Sequence, residues 1–221
     1  MSIQEQDAEI AAPRRTRSGG RDARQKSRGG QAAPAYIKRL IPPYEMLGEE
    51  GLVALETEAD RILEEIGFEI RGDEEAIALF KNAGASVDGP RMRFPRGLIR
   101  SIIQKTTPRE FVQHARNPAR NVVIGGRNTV FSPAYGSPFV TDIDKGRRYG
   151  TIEDFQNFVK LAYMSPAMHH SGGTVCEPVD LPVNKRHLEM VYAHMRYSDK
   201  AYMGSVTHPD RAQDTVNLAK I

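Results

Sequence analysis

Residues 168–206 read MHHSGGTVCEPVDLPVNKRHLEMVYAHMRYSDKAYMGSV, and the fold turns on how this stretch alternates. Met168 to Val175 reads as a strand. Arg186 to Tyr197 reads as a helix, with Leu188, Val191, Tyr192 and Met195 recurring at helical spacing. Ala201 to Val206 reads as a second strand. Pro209 then opens a further helix that meets no terminator before Ile221. Upstream, Thr151 with Asp154 three residues on resembles a capping box, Asp standing for the usual Glu. The helix it starts carries Ile152, Phe155, Val159 and Ala162 on one face. Val122 to Ile124 and Thr129 to Phe131 are extended candidates. This alternation predicts βαβ units and a parallel sheet. Right-handed crossovers leave an open doubly wound sheet or a (β/α)₈ barrel, and periodicity does not choose between them. A barrel takes about 250 residues, and only about three units are present, so the chain reads as truncated.

Before residue 120 the pattern differs. Leu52, Leu55, Ala59, Ile62, Leu63 and Ile66 predict a helix over roughly 44–66, closed by Gly67. Asp73 is a cap for a second helix carrying Ala76, Ile77 and Phe80, which stops at Gly84. Met92 to Phe94 is a short strand candidate. Pro95 opens a third helix with Leu98, Ile99, Ile102 and Ile103 on its buried side, ended by Pro108. The expected organisation is therefore a disordered basic tail over 1–33, a small helical extension over 34–119, and the first part of a barrel over 120–221.

Charge is concentrated in that tail. Residues 1–30 hold seven basic and four acidic side chains, while the rest of the chain holds 24 of each. A neutral body argues against nucleic-acid binding by the folded part. The tail is a solvated segment or a basic arm for a partner or RNA. Glu5, Asp7 and Glu9 speak against a transit peptide, and no apolar h-region marks a secretory signal. No apolar run approaches the ~20 residues of a membrane span. The single cysteine, Cys176, fits a reducing compartment, and the expected location is cytoplasmic.

Six histidines (His114, His169, His170, His187, His194 and His208) raise a metal hypothesis. His169 and His170 would face opposite ways on a strand, and His187 and His194 lie two turns apart. No H-E-x-x-H or Cys/His cluster is present, so no metal is expected; the histidines read as surface or satisfied polar positions. Gly125-Gly126 lacks the spacing of a dinucleotide loop and reads as a turn.

Chemistry in a barrel sits at the C-terminal ends of strands. Three loops lie there: Ser132 to Phe139, Gly172 to Asp180, and Gly204 to His208. They hold the candidate binding residues Tyr135, Phe139, Glu177, Asp180, Ser205 and His208. Aromatic faces with one or two carboxylates suit a quaternary ammonium, by cation–π attraction and charge compensation. For each residue alone, a cap, turn or packing role is the competing reading. Asp199-Lys200, before the third strand, is either a catalytic dyad at the opposite mouth or a structural ion pair or helix stop.

Many short pieces together resemble the trimethylamine methyltransferase family. They run from Arg14-Arg15 and Ser18-Gly19-Gly20-Arg21-Asp22-Ala23-Arg24 through Leu63-Glu64-Glu65-Ile66-Gly67, Ala83-Gly84-Ala85 and His114-Ala115-Arg116-Asn117-Pro118. Tyr135-Gly136-Ser137-Pro138-Phe139, Gly150-Thr151-Ile152-Glu153-Asp154-Phe155, Glu177-Pro178-Val179-Asp180, Arg186-His187-Leu188, Ser198-Asp199-Lys200 and Met203-Gly204-Ser205 continue the match in order. The resemblance implies a TIM barrel behind a helical extension. It implies a role in methylamine metabolism: transfer of a methyl group from a methylated amine to the cobalt of a separate corrinoid (cobalamin) protein. The substrate would be a betaine or other quaternary amine, or trimethylamine. No cofactor is expected on this segment itself, and its catalytic residues would fall in an absent second half, leaving the fragment inactive alone. Tyr135 and Phe139 would contact the cation, and Glu177 or Asp180 would supply charge or hydrogen bonds. Homo-oligomer formation is left open. The competing classes are a TIM-barrel lyase or aldolase using Lys200 or a carboxylate, and a non-catalytic fragment with an RNA- or partner-binding basic tail.

Overall fold

A computed structural model describes residues 34–221; the expected basic tail over 1–33 lies outside the described residues. The chain enters on a short extended piece, β1 (Ile37–Lys38), and forms α1 (Glu49–Glu65), five residues shorter at its start than the periodicity suggested. Gly67 closes α1 at φ 65°, its N–H bonded to the Ile62 carbonyl at 2.9 Å. A Cβ there would lie 1.8 Å from the Met92 carbonyl oxygen, so both conformation and close approach demand glycine. After β2 (Phe68–Glu69), α2 (Glu74–Asn82) begins where expected, with the Asp73 carboxylate accepting from Ala76 N–H at 2.9 Å. Asp73→Ala should therefore cost about 1 kcal/mol in urea unfolding. A change within error would mean that water serves that N–H equally well.

β3 (Ser86–Asp88) and β4 (Arg91–Arg93) join β2 in an antiparallel sheet with β4 central. Its core is Ala85, Met92 and Phe94, packed by Leu63, Ile77, Phe80 and Leu98. Phe68 stacks on Phe94 at 5.0 Å, and Phe80 meets both edge-on. α3 (Leu98–Thr106) starts after Gly97, not at Pro95, and turns only Leu98 and Ile99 onto this core. Ile102 and Ile103, expected inside, are 37% and 52% exposed, because the core is too small to reach the helix's second half.

β5 (Glu110–Gln113) and β6 (Val122–Gly125) form a second antiparallel pair. β7 (Asn128–Thr129) pairs with β1 across the chain. A hairpin that periodicity did not indicate follows, β8 (Phe139–Asp142) with β9 (Gly146–Tyr149). The Asp142 carboxylate accepts from the N–H groups of Asp144 and Lys145 and shapes its turn.

α4 (Ile152–Met164) has the full capping box. Thr151 Oγ accepts from Asp154 N–H, and the Asp154 carboxylate accepts from Thr151 N–H. Arg148 clamps the same carboxylate and holds Asp154 well below the usual carboxylate range. Phe155, Val159 and Ala162 are buried as expected. α5 (Val183–Tyr197) starts three residues early, and its buried stripe includes His187, Met190, Val191 and His194. Tyr192 is left 44% exposed. Two histidines counted as polar hid that stripe from a hydrophobic reading. α6 (Pro209–Ala219) packs on α5, and α5 on α4. The core beneath α4 and α5 is Val140, Phe155, Val159, Val175, Cys176, Met190 and Ala193.

The strands expected at 168–175 and 201–206 are not formed, and every strand pair among the described residues is antiparallel. The segments nonetheless lie side by side. His169 and His170 both donate their N–H to the Phe131 carbonyl, at 2.9 and 3.1 Å. Ser171 N–H donates to Ala201 O, and Met203 N–H to Gly172 O, each at 2.8 Å. The partner numbers rise together, so these two segments run in the same direction. A regular parallel ladder would return to the Ser171 carbonyl. Gly172, at φ 101°, turns the backbone and displaces the register by one residue. The fold shown is mixed α/β. Among the described residues no helix is long and apolar enough to cross a membrane.

Candidate functional site

The backbone bonds between segments bring two of the three candidate loops together and run on to the start of the third. Gly136 N–H donates to the Thr174 carbonyl at 2.7 Å, and Glu177 N–H to the Ser137 carbonyl at 2.9 Å. The α-carbon of Gly173 faces both Tyr135 and Met203, whose Cε1 and Cβ lie 3.6 and 3.5 Å from where a Cβ would stand. Glycine at 173 thus leaves room beside the Tyr135 ring.

Each candidate side chain has a defined neighbour or setting. Tyr135 is 46% exposed, its hydroxyl 2.9 Å from Ser132 Oγ. Phe139 sits on β8 against Tyr149, ring centres 4.7 Å apart, with the Arg147 guanidinium 3.9 Å from its centroid. Glu177 is held by Arg186 at 2.5 Å. The Asp180 carboxylate accepts from Ile152 N–H at 2.9 Å and so caps α4. Ser205 is half-buried. His208 caps α6, its Nδ1 accepting from Asp210 N–H at 3.3 Å.

Lys200 is not half of a dyad with Asp199. Its side chain is buried, and Nζ donates to the carbonyls of Ala162, Ser165 and Met168 at 2.7, 3.0 and 2.6 Å. Pro166 explains why: the helical donor due to Ala162 O would be the N–H of residue 166, which proline lacks. Lys200 supplies the missing donors where α4 ends. Burial pushes its amine down to about 8, with the charge of Arg120 adding to the shift. Three acceptors need three N–H groups, which only the ammonium has. Asp199 instead pairs with Arg120 at 2.8 Å and Asn117 at 3.1 Å. An amine committed to three carbonyls is no nucleophile, which removes Lys200 from a lyase or aldolase role.

Against this geometry, the sequence matches the family described as trimethylamine methyltransferase (MTTB) over residues 17–221. The chain belongs to the trimethylamine methyltransferase family. It is 45% identical over 183 residues to a glycine betaine methyltransferase of Desulfitobacterium hafniense strain Y51, covering 83% of this chain and 38% of that protein. It is 30% identical over 116 residues to trimethylamine methyltransferase MttB of Desulfitobacterium hafniense strain DSM 10664 / DCB-2, covering 51% of this chain and 23% of that protein. The chain thus spans well under half the length of either relative.

In this trimethylamine methyltransferase family member, a set of polar residues that periodicity passed over lies behind Tyr135. His170 is buried, with Nδ1 accepting from Gly172 N–H at 2.9 Å and Nε2 3.2 Å from Gln113 Oε1. His194 donates from Nε2 to the Gly173 carbonyl at 2.8 Å, so its Nδ1 accepts from Ser171 Oγ at 2.8 Å. Its ring stacks on Tyr202 at 5.4 Å. Burial pushes both imidazoles down to about 4, and the proximity of His194 lowers His170 further. Both are neutral at pH 7. The sequence signal for His170 was its place just before Gly172-Gly173, which periodicity does not weigh; His194 reaches Gly173 only through the fold.

An apolar cleft of about 410 Å³ lies between α4 and the first loop, lined by Pro133, Ala134, Phe158, Leu161, Met168 and Val175 among others. None of the six candidate side chains lines it. Among the described residues no group of three or more His, Cys, Asp or Glu side chains is placed to hold a metal ion. Burial raises the Cys176 thiol to about 12, which leaves it unreactive in the folded state.

Proposed function

We propose that the protein containing this chain transfers a methyl group from a quaternary amine, with glycine betaine as the leading candidate, to the cobalt of a corrinoid partner protein. The observation that carries this reading is the convergence of Tyr135 and the Gly172–Glu177 loop, in a chain 45% identical to a glycine betaine methyltransferase. The reduced corrinoid supplies the nucleophile. The amine leaves as a neutral tertiary amine, so no general acid is required. The protein's task is to orient the N-methyl group in line and exclude water.

Tyr135 is the cation-facing aromatic in this proposal. The Phe139 face already carries Arg147, so a substrate ammonium would have to displace a guanidinium there. Glu177 and Asp180 are occupied by Arg186 and by the α4 N-terminus. That arrangement favours a zwitterionic betaine, whose own carboxylate balances its ammonium, over a bare cation needing a protein counter-charge. Ser205 and His208 are proposed to line the outer rim.

The chain is proposed to form the first three βα units of a TIM barrel over 120–221, behind an extension over 34–119, in a cytoplasmic protein. The same-direction pairing of 171–172 with 201–203 and the sequential packing of α4, α5 and α6 support this. The 221-residue chain alone is expected to transfer no methyl group.

The test uses the full reading frame, a Co(I) corrinoid protein and a panel of quaternary and tertiary amines, following the cobalt absorbance. Conversion with glycine betaine is expected, and Tyr135→Ala should raise KM for it about 10-fold through loss of a cation–π contact. No conversion with any amine, or Tyr135→Ala behaving as wild type, would overturn the assignment.

A further inference from the structure

The β8–β9 hairpin grows out of the loop that carries Tyr135, and its pairing sorts two adjacent arginines onto opposite faces. Val140 pairs with Arg148, while Phe139 pairs with Tyr149 and Thr141 with Arg147. Paired residues share a face and successive ones alternate. Val140 is buried, and Arg148 is turned with it toward α4, where it meets Asp142 and Asp154. Phe139, Thr141, Arg147 and Tyr149 form the other face. Arg147 is exposed there. Its guanidinium rides 3.9 Å from the Phe139 centroid, and Phe139 in turn packs on Tyr149.

The arginines of this region differ in what they hold. Arg148 is taken by two carboxylates, and Arg186 by Glu177 and the Leu181 carbonyl. Among the described residues Arg147 meets no carboxylate at ion-pair distance and gives no side-chain N–H to any acceptor; its contact is the Phe139 ring. A cation stacked on an aromatic face is held without spending its N–H groups. The donors of the guanidinium therefore remain for a ligand, in the fork that matches a carboxylate.

Phe139 lies four residues after Tyr135, a chain span of at most about 14 Å. Between them the loop is fastened at three points. Gly136 N–H donates to the Thr174 carbonyl, Glu177 N–H to the Ser137 carbonyl, and Gly150 N–H to the Pro138 carbonyl. One stiff loop thus presents an exposed aromatic ring and, just beyond it, an unspent guanidinium. That pair complements a betaine, which carries a quaternary ammonium and a carboxylate in one molecule.

We infer that Arg147, held by Phe139, binds the carboxylate of a betaine whose ammonium lies against Tyr135, and so selects betaines over quaternary amines that lack an acid group. This rests on the betaine reading above, with Tyr135 as its cation-facing ring. The guanidinium acts in two directions. It pairs with the carboxylate. It also repels a bare quaternary cation, which brings no anion to offset it. Phe139 then serves by fixing the guanidinium rather than by facing the ammonium.

The test is calorimetric binding to the full-length protein of glycine betaine and of two carboxylate-free controls, choline and tetramethylammonium. Arg147→Ala should weaken glycine betaine about 20-fold, the scale of a hydrogen bond between charged groups. Choline and tetramethylammonium should bind as before or slightly tighter. Arg147→Lys should recover part of the loss, keeping the charge but not the fork. Phe139→Leu should weaken glycine betaine alone, by less than Arg147→Ala. Arg147 is exposed and Arg148 carries the link to α4, so the Arg147 variants should keep the wild-type unfolding midpoint. Unchanged glycine betaine binding in Arg147→Ala, with Tyr135→Ala weakened, would overturn this inference and leave the betaine reading standing. Equal losses for all three ligands would also overturn it, because the arginine would then support the hairpin rather than recognise the carboxylate. Glycine betaine binding unchanged in both variants, or absent from the wild type, would overturn both readings.

Discussion

Lys200→Met should lower the unfolding free energy by about 4 kcal/mol, because three carbonyls lose their ammonium donor at about 1–3 kcal/mol each, offset in part by no longer burying a charge. Methionine fills the volume of the lysine stem, so packing changes little. The carbonyls of Ala162, Ser165 and Met168 lose donors held at 2.6–3.0 Å, and Pro166 guarantees that Ala162 O cannot recover one from its own helix. Each buried acceptor left without a partner costs about 1–3 kcal/mol. Lys200→Arg should recover only part, because a planar fork does not reach three acceptors arranged around a point. Urea unfolding measures this, with the slope unchanged and the midpoint lowered. Cys176 provides an independent readout, since its buried thiol becomes accessible to a labelling reagent only on opening. A loss below about 1 kcal/mol, in the range of an exposed contact, would mean that water can replace the ammonium at the end of α4.

Stability should fall steeply between pH 6.5 and pH 4, ahead of most carboxylate protonation. His170 and His194 are lowered from 6.5 to about 4 by burial. In that window the unfolded chain binds protons that the folded chain excludes, so acid favours unfolding. The contribution is complete above pH 6.5 and is lost as pH falls toward 4; below that both states are protonated. At about 1.4 kcal/mol per unit, the loss is of the order of 3 kcal/mol for each imidazole. Asp154, held low by Arg148, adds its own loss further down the scale. Urea midpoints at pH 7, 6, 5 and 4.5 test the slope, and His170→Asn should flatten part of it. Constant midpoints from pH 6.5 to 4.5 would show that the two imidazoles are open to water.

Both effects arise from groups that lie near one another in space but not in sequence. Asp199-Lys200 could be read from the sequence as a dyad, an ion pair or a helix stop, because adjacency is what a sequence displays. The carbonyls that Lys200 meets belong to residues 32 to 38 positions earlier. The same holds for the candidate site: the Ser132–Phe139 loop could be singled out from its run of prolines, aromatics and hydroxyls, while the approach of Gln113 and His170 behind it could not. Glu177 and Asp180 could be read for substrate charge or as an ordinary cap or contact, and their partners Arg186 and Ile152 N–H were invisible without the fold.

The sequence by itself determined the pieces set by neighbours within about four residues. The Asp73 cap, the Thr151–Asp154 box, the Gly67 stop, the partly buried core-facing side of α2 and the buried face of α4 are such pieces, and so is family membership, which accumulates over short runs. Tertiary structure decided the rest. It decided that β1 pairs with β7, that 168–175 and 201–206 lie alongside without becoming a ladder, and that two histidines sit in the buried stripe of α5. Helices satisfy their hydrogen bonds internally, so local signals suffice to place them; strands, buried amines and buried imidazoles are satisfied only by whatever distant segment the folded chain brings against them.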